Sequence, residues 1–537
     1  MQNVFLSVKN LEARAKNLFA LSESVMIENA ASALECEIRK IFSNKKNLFE
    51  KFILENRATK NDCEFSFQEK CAIFILCGSG NNGADGYALA RKCANEFLTF
   101  VLQVEKPKSS DCKLQEKSAR NAGAIFVSEK KFFEKLKTYE NFSVIVDCIF
   151  GTGFHGFLPK NVLRIIQKIN EMSETKIACD VASGIDANGN VATKIDGKAI
   201  AFFANQTIAM GALKLAYFGD DAKNFSGTLQ VANIGITRKN FENCGDENFT
   251  NKWRVLKKEK RENVNVNLKI FLLEKKDVHL PFRKNLSSNK GDFGHLAVFA
   301  GDKVGAAMIA GSAAFSFGCA RVTLVASEKN CAHFKLPIHL MLSEKIPKTS
   351  NTFLLGSGFG LANENAKNLF SFLLREKKSC VLDADIFYYD ELFNFLKTAN
   401  AKKMNVVLTP HPKELSELFR VCKIANASVD EILQNRILFL EKFITAFPNV
   451  TLVSKSAVTM IASEKNIFIS NEGTPALSKG GTGDVLAGMI ASLLSQKYSA
   501  KDASITAVFF HSEISKTFGK NFSLRPEKLI SEIEKLK

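Results

Sequence analysis

The chain is punctuated by short, almost unbroken apolar runs, each ending in a turn that carries glycine, an acid or a proline. CAIFILC (71–77), FLTFVLQVE (97–105), AIFVS (124–128), SVIVDCIF (143–150), KIACDVAS (176–183), QTIAMG (206–211) and LQVANIGI (229–236) form a first series. HLAVFAG (295–301), RVTLVAS (321–327), FLLGSG (353–358), CVLDAD (380–385), NVVLTP (405–410) and VTLVSKS (450–456) form a second. A run without polar alternation fits a strand buried on both faces, as in a parallel sheet. The stretches between read as helices, and so do residues 1–60, where MIENAASALECEIRKIF (26–42) has helical apolar spacing. Alternating strands and helices predict α/β domains with helices on both faces of the sheet. The two series are parted by a polar, charged stretch. The expected organisation is a domain over 1–237, a linker over 238–266 and a domain over 267–537.

Ligands in such folds bind at the carboxyl ends of the strands. The turn after the first run is CGSGNNGADGYALAR (77–91). Its glycines let backbone approach a ligand, and the helix that follows offers free N–H groups. Gly78, Gly80 and Gly83 satisfy the simple dinucleotide fingerprint, and Glu105 falls where a ribose-binding acid would. The two amides and the acid of Asn81, Asn82 and Asp85 go beyond a plain phosphate loop, unless they only shape a turn. Two further turns follow strands, VDCIFGTGFHG (146–156) and CDVASGID (179–186). Asn82, Asp147 and Ser183 are hard oxygen donors suited to a hard cation. Asp180 and Asp186 fit either chemistry or helix capping.

Together and in this order, these turns resemble the YjeF N-terminal epimerase family, whose pattern reads N-N-G-G-D-G, V-D-x-x-F-G-T-G and D-V-P-S-G-x-D. The likeness runs over about residues 10–237, with Ala84 and Ala182 replacing a glycine and a proline. It implies a Rossmann-like doubly wound α/β domain that interconverts R- and S-hydrated NADH and NADPH. It implies that Asn81, Asn82, Gly83, Ala84 and Asp85, with Gly151, Thr152, Gly153, Phe154, His155, Gly156 and Phe157, hold the hydrated dinucleotide. Asn82, Asp147 and Ser183 would hold K⁺, and Asp180 would face the ring as acid/base.

In the second half, ALSKGGTGDVLAG (476–488) opens a helix with a glycine loop and puts Asp484 in the first turn. Exposed N–H groups and the helix dipole suit a phosphate in transfer, and Asp484 can take a proton from an attacking hydroxyl. The plainer reading is an acid that stabilises a helix start. No Walker sequence is present. The loop resembles the ribokinase-like superfamily. KGDFGHL (290–296), Gly305-Ala306-Ala307, GSGFG (356–360), LDAD (382–385), TPHP (409–412) with Glu414, and KSAVT (455–459) narrow the likeness to the NAD(P)H-hydrate dehydratase family. That implies a ribokinase-like α/β domain in which Ala306, Gly358, His411 and Asp484 contact the hydrated cofactor. Lys455, Ser456, Ala457, Val458 and Thr459, with Gly480, Gly481 and Gly483, would contact ADP or ATP carrying Mg²⁺. Ser357, Lys479 and Ser456 depart from the family pattern. For His411 a proline-shaped surface turn is the plainer alternative.

Composition excludes other classes. The net charge is +17, but the lysines are scattered and no arginine-rich stripe or recognition module appears, so no nucleic-acid partner is expected. Thirteen cysteines without a C-x-x-C pair read as reduced, buried thiols in a reducing compartment. No apolar stretch approaches the roughly 18–20 residues of a membrane span, and no signal-peptide core is seen. The expectation is a cytoplasmic homo-oligomer without a membrane partner. Three alternatives remain: a dehydrogenase fused to a kinase, a sugar or vitamin kinase, and an N-terminal half that only binds.

Overall fold

A computed structural model describes residues 1–55, 71–139, 142–243, 251–256, 261–266, 268–331, 333–360 and 366–536. The chain divides into two compact units, Asn3–Lys252 and Trp253–Lys537 with Met1–Gln2.

The first unit is built on a parallel seven-stranded sheet. Its order is Thr228–Ala232, Gln206–Met210, Thr175–Cys179, Ser143–Cys148, Ala72–Cys77, Leu98–Gln103 and Ile125–Phe126. Starting at Ala72–Cys77, the sheet grows one way through the next two strands. The chain then returns to the other side of the first strand at Ser143–Cys148 and grows the opposite way. These two strands are buried along their whole length because helices cover both faces. Cys77 and Cys148 are register partners at the point where the direction reverses. In sheets of this kind a ligand crevice forms outside the carboxyl ends of the strands at such a reversal.

The expected strands all appear in this unit, shortened at their ends. Residues 1–60 are not all helical, however. Gln2–Phe5 is a strand, with Val4 and Phe5 registered on Leu213 and Lys214. So short a pairing leaves no periodic signature. Helices Lys9–Phe19 and Glu23–Glu55 follow.

The second unit repeats the same growth rule. Its parallel strands lie in the order Val450–Ser454, Val406–Leu408, Ser379–Leu382, Thr352–Leu355, His295–Phe299, Arg321–Val325 and Met341–Ser343. The reversal falls between His295–Phe299 and Thr352–Leu355. Beyond Val450–Ser454, the strands Thr459–Ser463 and Asn466–Ser470 continue antiparallel, and Lys269–Leu272 pairs parallel to the latter. The core gathers around helices Val304–Ser316, Thr482–Ser495 and Ala500–Ser515.

The stretch expected as a linker contains helix Arg238–Glu242, capped by Thr237, and a two-stranded pair of Asn251–Leu256 with Arg261–Val266. Its residues 244–250 and 257–260 lie outside the described residues. All described cysteines are free thiols, buried except for Cys36. No helix among the described residues is long and apolar enough to cross a membrane.

Candidate active sites

In the first unit, the glycines after Ala72–Cys77 are fixed by contact. A Cβ on Gly78 would lie 2.0 Å from the Ile149 carbonyl oxygen, and one on Gly83 would lie 2.1 Å from that of Gly78. Gly80, Gly153 and Gly156 face open space. Helix Asn81–Cys93 therefore starts hard against the loop after Ser143–Cys148, and its N-cap Gly80 supplies no side-chain acceptor. Glu105 accepts from the Ser79 hydroxyl at 2.7 Å and faces Lys108, so it braces the glycine turn.

Three turns converge beside this start. Asp147 accepts from the Ile149 N–H (3.0 Å), the Ser183 hydroxyl (2.7 Å) and the Ser183 N–H (2.7 Å). The Ser183 hydroxyl in turn accepts from the Phe150 N–H at 2.9 Å. These bonds hold the loop at Ala182, where a proline would otherwise fix the backbone. Asn82 donates to the Phe150 carbonyl at 2.9 Å, while its buried Oδ1 has no hydrogen-bond partner. Burial pushes Asp147 up to about 6 against the pull of its Ser183 and Ile149 donors. An orphaned amide oxygen, a serine hydroxyl and a buried carboxylate fit a hard monovalent cation.

Asp180 stands beside them, with its Oδ2 3.3 Å from where a Gly151 Cβ would be. It adopts a left-handed backbone (φ +65°), an uncommon conformation that Asp tolerates better than most residues. Tyr217 donates to its carbonyl at 2.7 Å. The carboxylate receives the ammonium of Lys214, which is 1 % exposed and also donates to the Met210 carbonyl at 3.0 Å. Nothing in the motif reading singled out Lys214. The available signal was a lone lysine inside the apolar stretch ALKLAYF (212–218), which must find a partner if buried. Burial and the neighbouring Asp180 charge push Asp85 well above the usual carboxylate range. Burial also raises Glu12, on helix Lys9–Phe19, against the opposing effect of Lys214. His155 and Phe157 are exposed in the glycine-rich turn, and Phe154 stacks on Phe150.

In the second unit, Gly301 repeats the wedge: its Cβ would lie 1.9 Å from the Phe359 carbonyl oxygen. Gly356 (φ +117°) and Gly358 (φ +70°) would place a Cβ 1.7 Å from the Asp383 carbonyl oxygen and 2.2 Å from that of Lys303. Gly305 and Gly480 face open space, and Ala306 is half-buried in the first turn of Val304–Ser316. Gly481 (φ +90°) starts helix Thr482–Ser495, with Asp484 in its first turn. The Thr482 hydroxyl ties this loop to the Leu477 and Lys479 carbonyls, at 2.8 Å each. The buried His511 holds the Thr482 carbonyl at 3.0 Å; burial lowers its pKa to about 4, so the neutral ring donates there.

Lys455 lies 3.4 Å from where a Gly483 Cβ would be, and it donates to Asp383 at 2.9 Å. Thr409 donates to the same Asp383 oxygen at 2.7 Å. Burial lowers the Lys455 pKa, but Asp383, Glu414 and Asp484 outweigh that and raise it. Asp484 is pushed up to about 6, by burial first and then by the Asp383 charge. Arg436, also absent from the motif reading, clamps the turn 455–457 at both ends through the Ser454 hydroxyl (3.0 Å) and the Val458 carbonyl (2.7 Å).

His411 caps helix Pro412–Val421. Its Nδ1 accepts from the Lys413 and Glu414 N–H groups and its Nε2 faces Glu414 at 3.0 Å, so both ring nitrogens are engaged. Lys479 donates to the Phe522 carbonyl at 3.0 Å. Among the described residues, no cluster of three His, Cys, Asp or Glu side chains forms a metal cage. A Mg²⁺ carried on nucleotide phosphates does not need one.

The two units also match known families. The model of the NAD(P)H-hydrate dehydratase family matches residues 296–535, and that of the YjeF-related protein N-terminus matches residues 23–216. The bifunctional NAD(P)H-hydrate repair enzyme Nnr of Helicobacter pylori is 35% identical over 538 residues, 100% of each chain. Its namesakes from Coxiella burnetii and Escherichia coli are 26% and 25% identical, covering 82% and 89% of this chain and 84% and 87% of theirs. A likeness spanning both chains from end to end leaves no room for a dehydrogenase–kinase fusion, and the chain belongs to the family of bifunctional NAD(P)H-hydrate repair enzymes.

Proposed function

We propose that the first unit epimerises R- and S-hydrated NADH and NADPH, and that the second dehydrates the S form at the expense of ADP or ATP. The observation that carries this reading is the pairing of two different acid sites in one chain, Asp180 with its buried ammonium and Asp484 in a glycine loop. In our reading, residues 1–237 carry the first activity, 267–537 the second, and 238–266 connect them. The break between the compact units and the two family matches support that division.

Epimerisation at the hydrated ring carbon requires proton traffic next to a ring that becomes transiently cationic. Asp180 supplies a carboxylate there, and Lys214 fixes its direction and balances its charge. The turns 81–85 and 151–157 hold the dinucleotide, with open space over Gly80, Gly153 and Gly156 for its phosphates. Asn82, Asp147 and Ser183 hold K⁺, which would supply a fixed positive charge at the crevice. The orphaned Asn82 oxygen supports this assignment.

Dehydration starts from a poor leaving group. Asp484 takes the proton of the ring-borne hydroxyl as its oxygen attacks the terminal phosphorus of the nucleotide. The P–O bond to AMP or ADP breaks, the ring nitrogen then expels phosphate, and loss of a proton from the adjacent ring carbon restores the neutral ring of NAD(P)H. The N–H groups of Gly480, Gly481 and Gly483 cradle the phosphate in transfer, and Lys455 stands beside it. Lys455 to Thr459 border the nucleotide, while Ala306, Gly358 and His411 border the hydrated cofactor. Mg²⁺ on the donor phosphates would neutralise their charge. The ring of His411 also serves as a helix cap, so only its open face is left for the cofactor.

The free buried thiols support a reducing, cytoplasmic setting. We also read the assembly as a homo-oligomer, which light scattering tests. The function is tested with purified protein, K⁺, Mg²⁺ and ADP or ATP on mixed R- and S-hydrated NADH, following recovery of absorbance at 340 nm. The reading requires the S pool to be consumed quickly and the R pool to follow faster than it epimerises on its own. Failure of both pools with both nucleotides overturns it.

A further inference from the structure

The first unit holds an acid that its proposed chemistry does not use. Glu105 follows strand Leu98–Gln103, where two backbone bonds stitch the chain to the glycine turn. The Val104 N–H donates to the Cys77 carbonyl and the Lys108 N–H to that of Ser79, at 2.9 Å each. The Glu105 carboxylate accepts from the Ser79 hydroxyl at 2.7 Å, and the exposed Lys108 ammonium lies 3.6 Å away. Both contacts fall on Oε2, and Oε1 enters neither. A partly exposed acid is thus anchored beside the turn whose Gly80 faces open space, with one oxygen left over. Bracing the turn needs only the other oxygen.

The place of Glu105 along the sheet says what that oxygen meets. Asp180 follows Thr175–Cys179, Glu105 follows Leu98–Gln103, and between these strands lie the two at which the order reverses. Three strand spacings, about 14 Å, separate the two strand ends. A dinucleotide laid across such a reversal, with its pyrophosphate on the glycine turn and helix start, covers that reach. With the hydrated ring at Asp180 and the phosphates over Gly80, the adenosine ribose falls at Glu105.

We propose that Glu105 makes the epimerase prefer hydrated NADH to hydrated NADPH: its free oxygen accepts from the 2′-hydroxyl of the adenosine ribose, whereas the 2′-phosphate of the NADPH form meets a like charge there. This rests on the first unit being the epimerase, with the ring at Asp180. Replacing the hydroxyl by a phosphate removes a hydrogen bond and adds repulsion. The Ser79 bond and the two backbone bonds keep the carboxylate from swinging away. Lys108 offsets little, because its side chain is 79% exposed and its charge is screened by solvent.

The test uses the full chain with K⁺ and without nucleotide, so that the second unit is silent. Conversion of the R to the S form of hydrated NADH and of hydrated NADPH is followed by chromatography, and the two kcat/KM values are compared. The parent should favour hydrated NADH by about fivefold or more. Glu105→Gln keeps an acceptor for Ser79 and removes the charge, so its preference should shrink to within about twofold of parity, through a lower KM for hydrated NADPH. Glu105→Lys should reverse the preference. A brace without a ligand role would lower both substrates alike and leave the ratio where it was. A parent without preference, or a Glu105→Gln ratio equal to the parent's, overturns the proposal. Asp180→Asn is measured alongside: parental rates on both substrates in that variant overturn the placing of the ring at Asp180, a distinct failure.

Discussion

Lys214 and Asp180 form an ion pair in which the ammonium is almost fully buried and the carboxylate edges the crevice of the first unit. Removing one partner of such a pair leaves the other charge without compensation. Lys214→Met should therefore lower stability by about 3 kcal/mol and epimerisation by about 100-fold. Urea melts and the rate of R-to-S conversion check the two effects separately. Unchanged epimerisation in a folded variant would show that the pair is purely structural.

Asp484, pushed up to about 6, predicts the pH dependence of dehydration. Turnover should fall about tenfold per pH unit below that value, as the base is protonated. The linkage to stability has the opposite sense. An acid raised in the folded state contributes stability below its unfolded pKa of 3.8, and this is lost as pH rises through about 6. Asp484→Asn should then gain about 2 kcal/mol at pH 7 and nothing near pH 3.5, while dehydration drops at least about 100-fold. Denaturation at the two pH values decides the point.

If Asn82, Asp147 and Ser183 hold K⁺, epimerisation should depend on that ion. Replacing K⁺ by a bulky organic cation should slow the parent protein several-fold, and Asn82→Ala should lose most of that dependence. A parent rate indifferent to K⁺ would leave the orphaned Asn82 oxygen to another ligand.

Gly78→Ala forces a methyl to within 2.0 Å of the Ile149 carbonyl oxygen, a clash with backbone that no rotamer relieves. It should cost about 3 kcal/mol or more. Gly153→Ala meets nothing within 4 Å and should stay within about 0.5 kcal/mol. Thermal melts of the two variants give the comparison.

The interior strands were legible because burial on both faces leaves an unbroken apolar run, as in Ala72–Cys77 and Ser143–Cys148. Gln2–Phe5, Met341–Ser343 and the strands Thr459–Ser463 and Asn466–Ser470 were not, since short or half-polar segments take their conformation from partners distant in sequence. The same division holds at the sites. Glycine turns and strand-end acids advertise themselves. Lys214, Arg436 and His511 belong to no local pattern, and only the fold shows what each one holds.

In both units, the strands that flank the crevice are spaced by a glycine set directly against backbone, Gly78 on Ile149 and Gly301 on Phe359. The width of each crevice is thus a matter of bond lengths and van der Waals radii, and no side chain serves as a shim. Core residues behind the sheet can change in size and shape without altering that gap. Such a gauge ties the spacing of the two strand ends to the backbone itself and not to the identity of any neighbouring side chain.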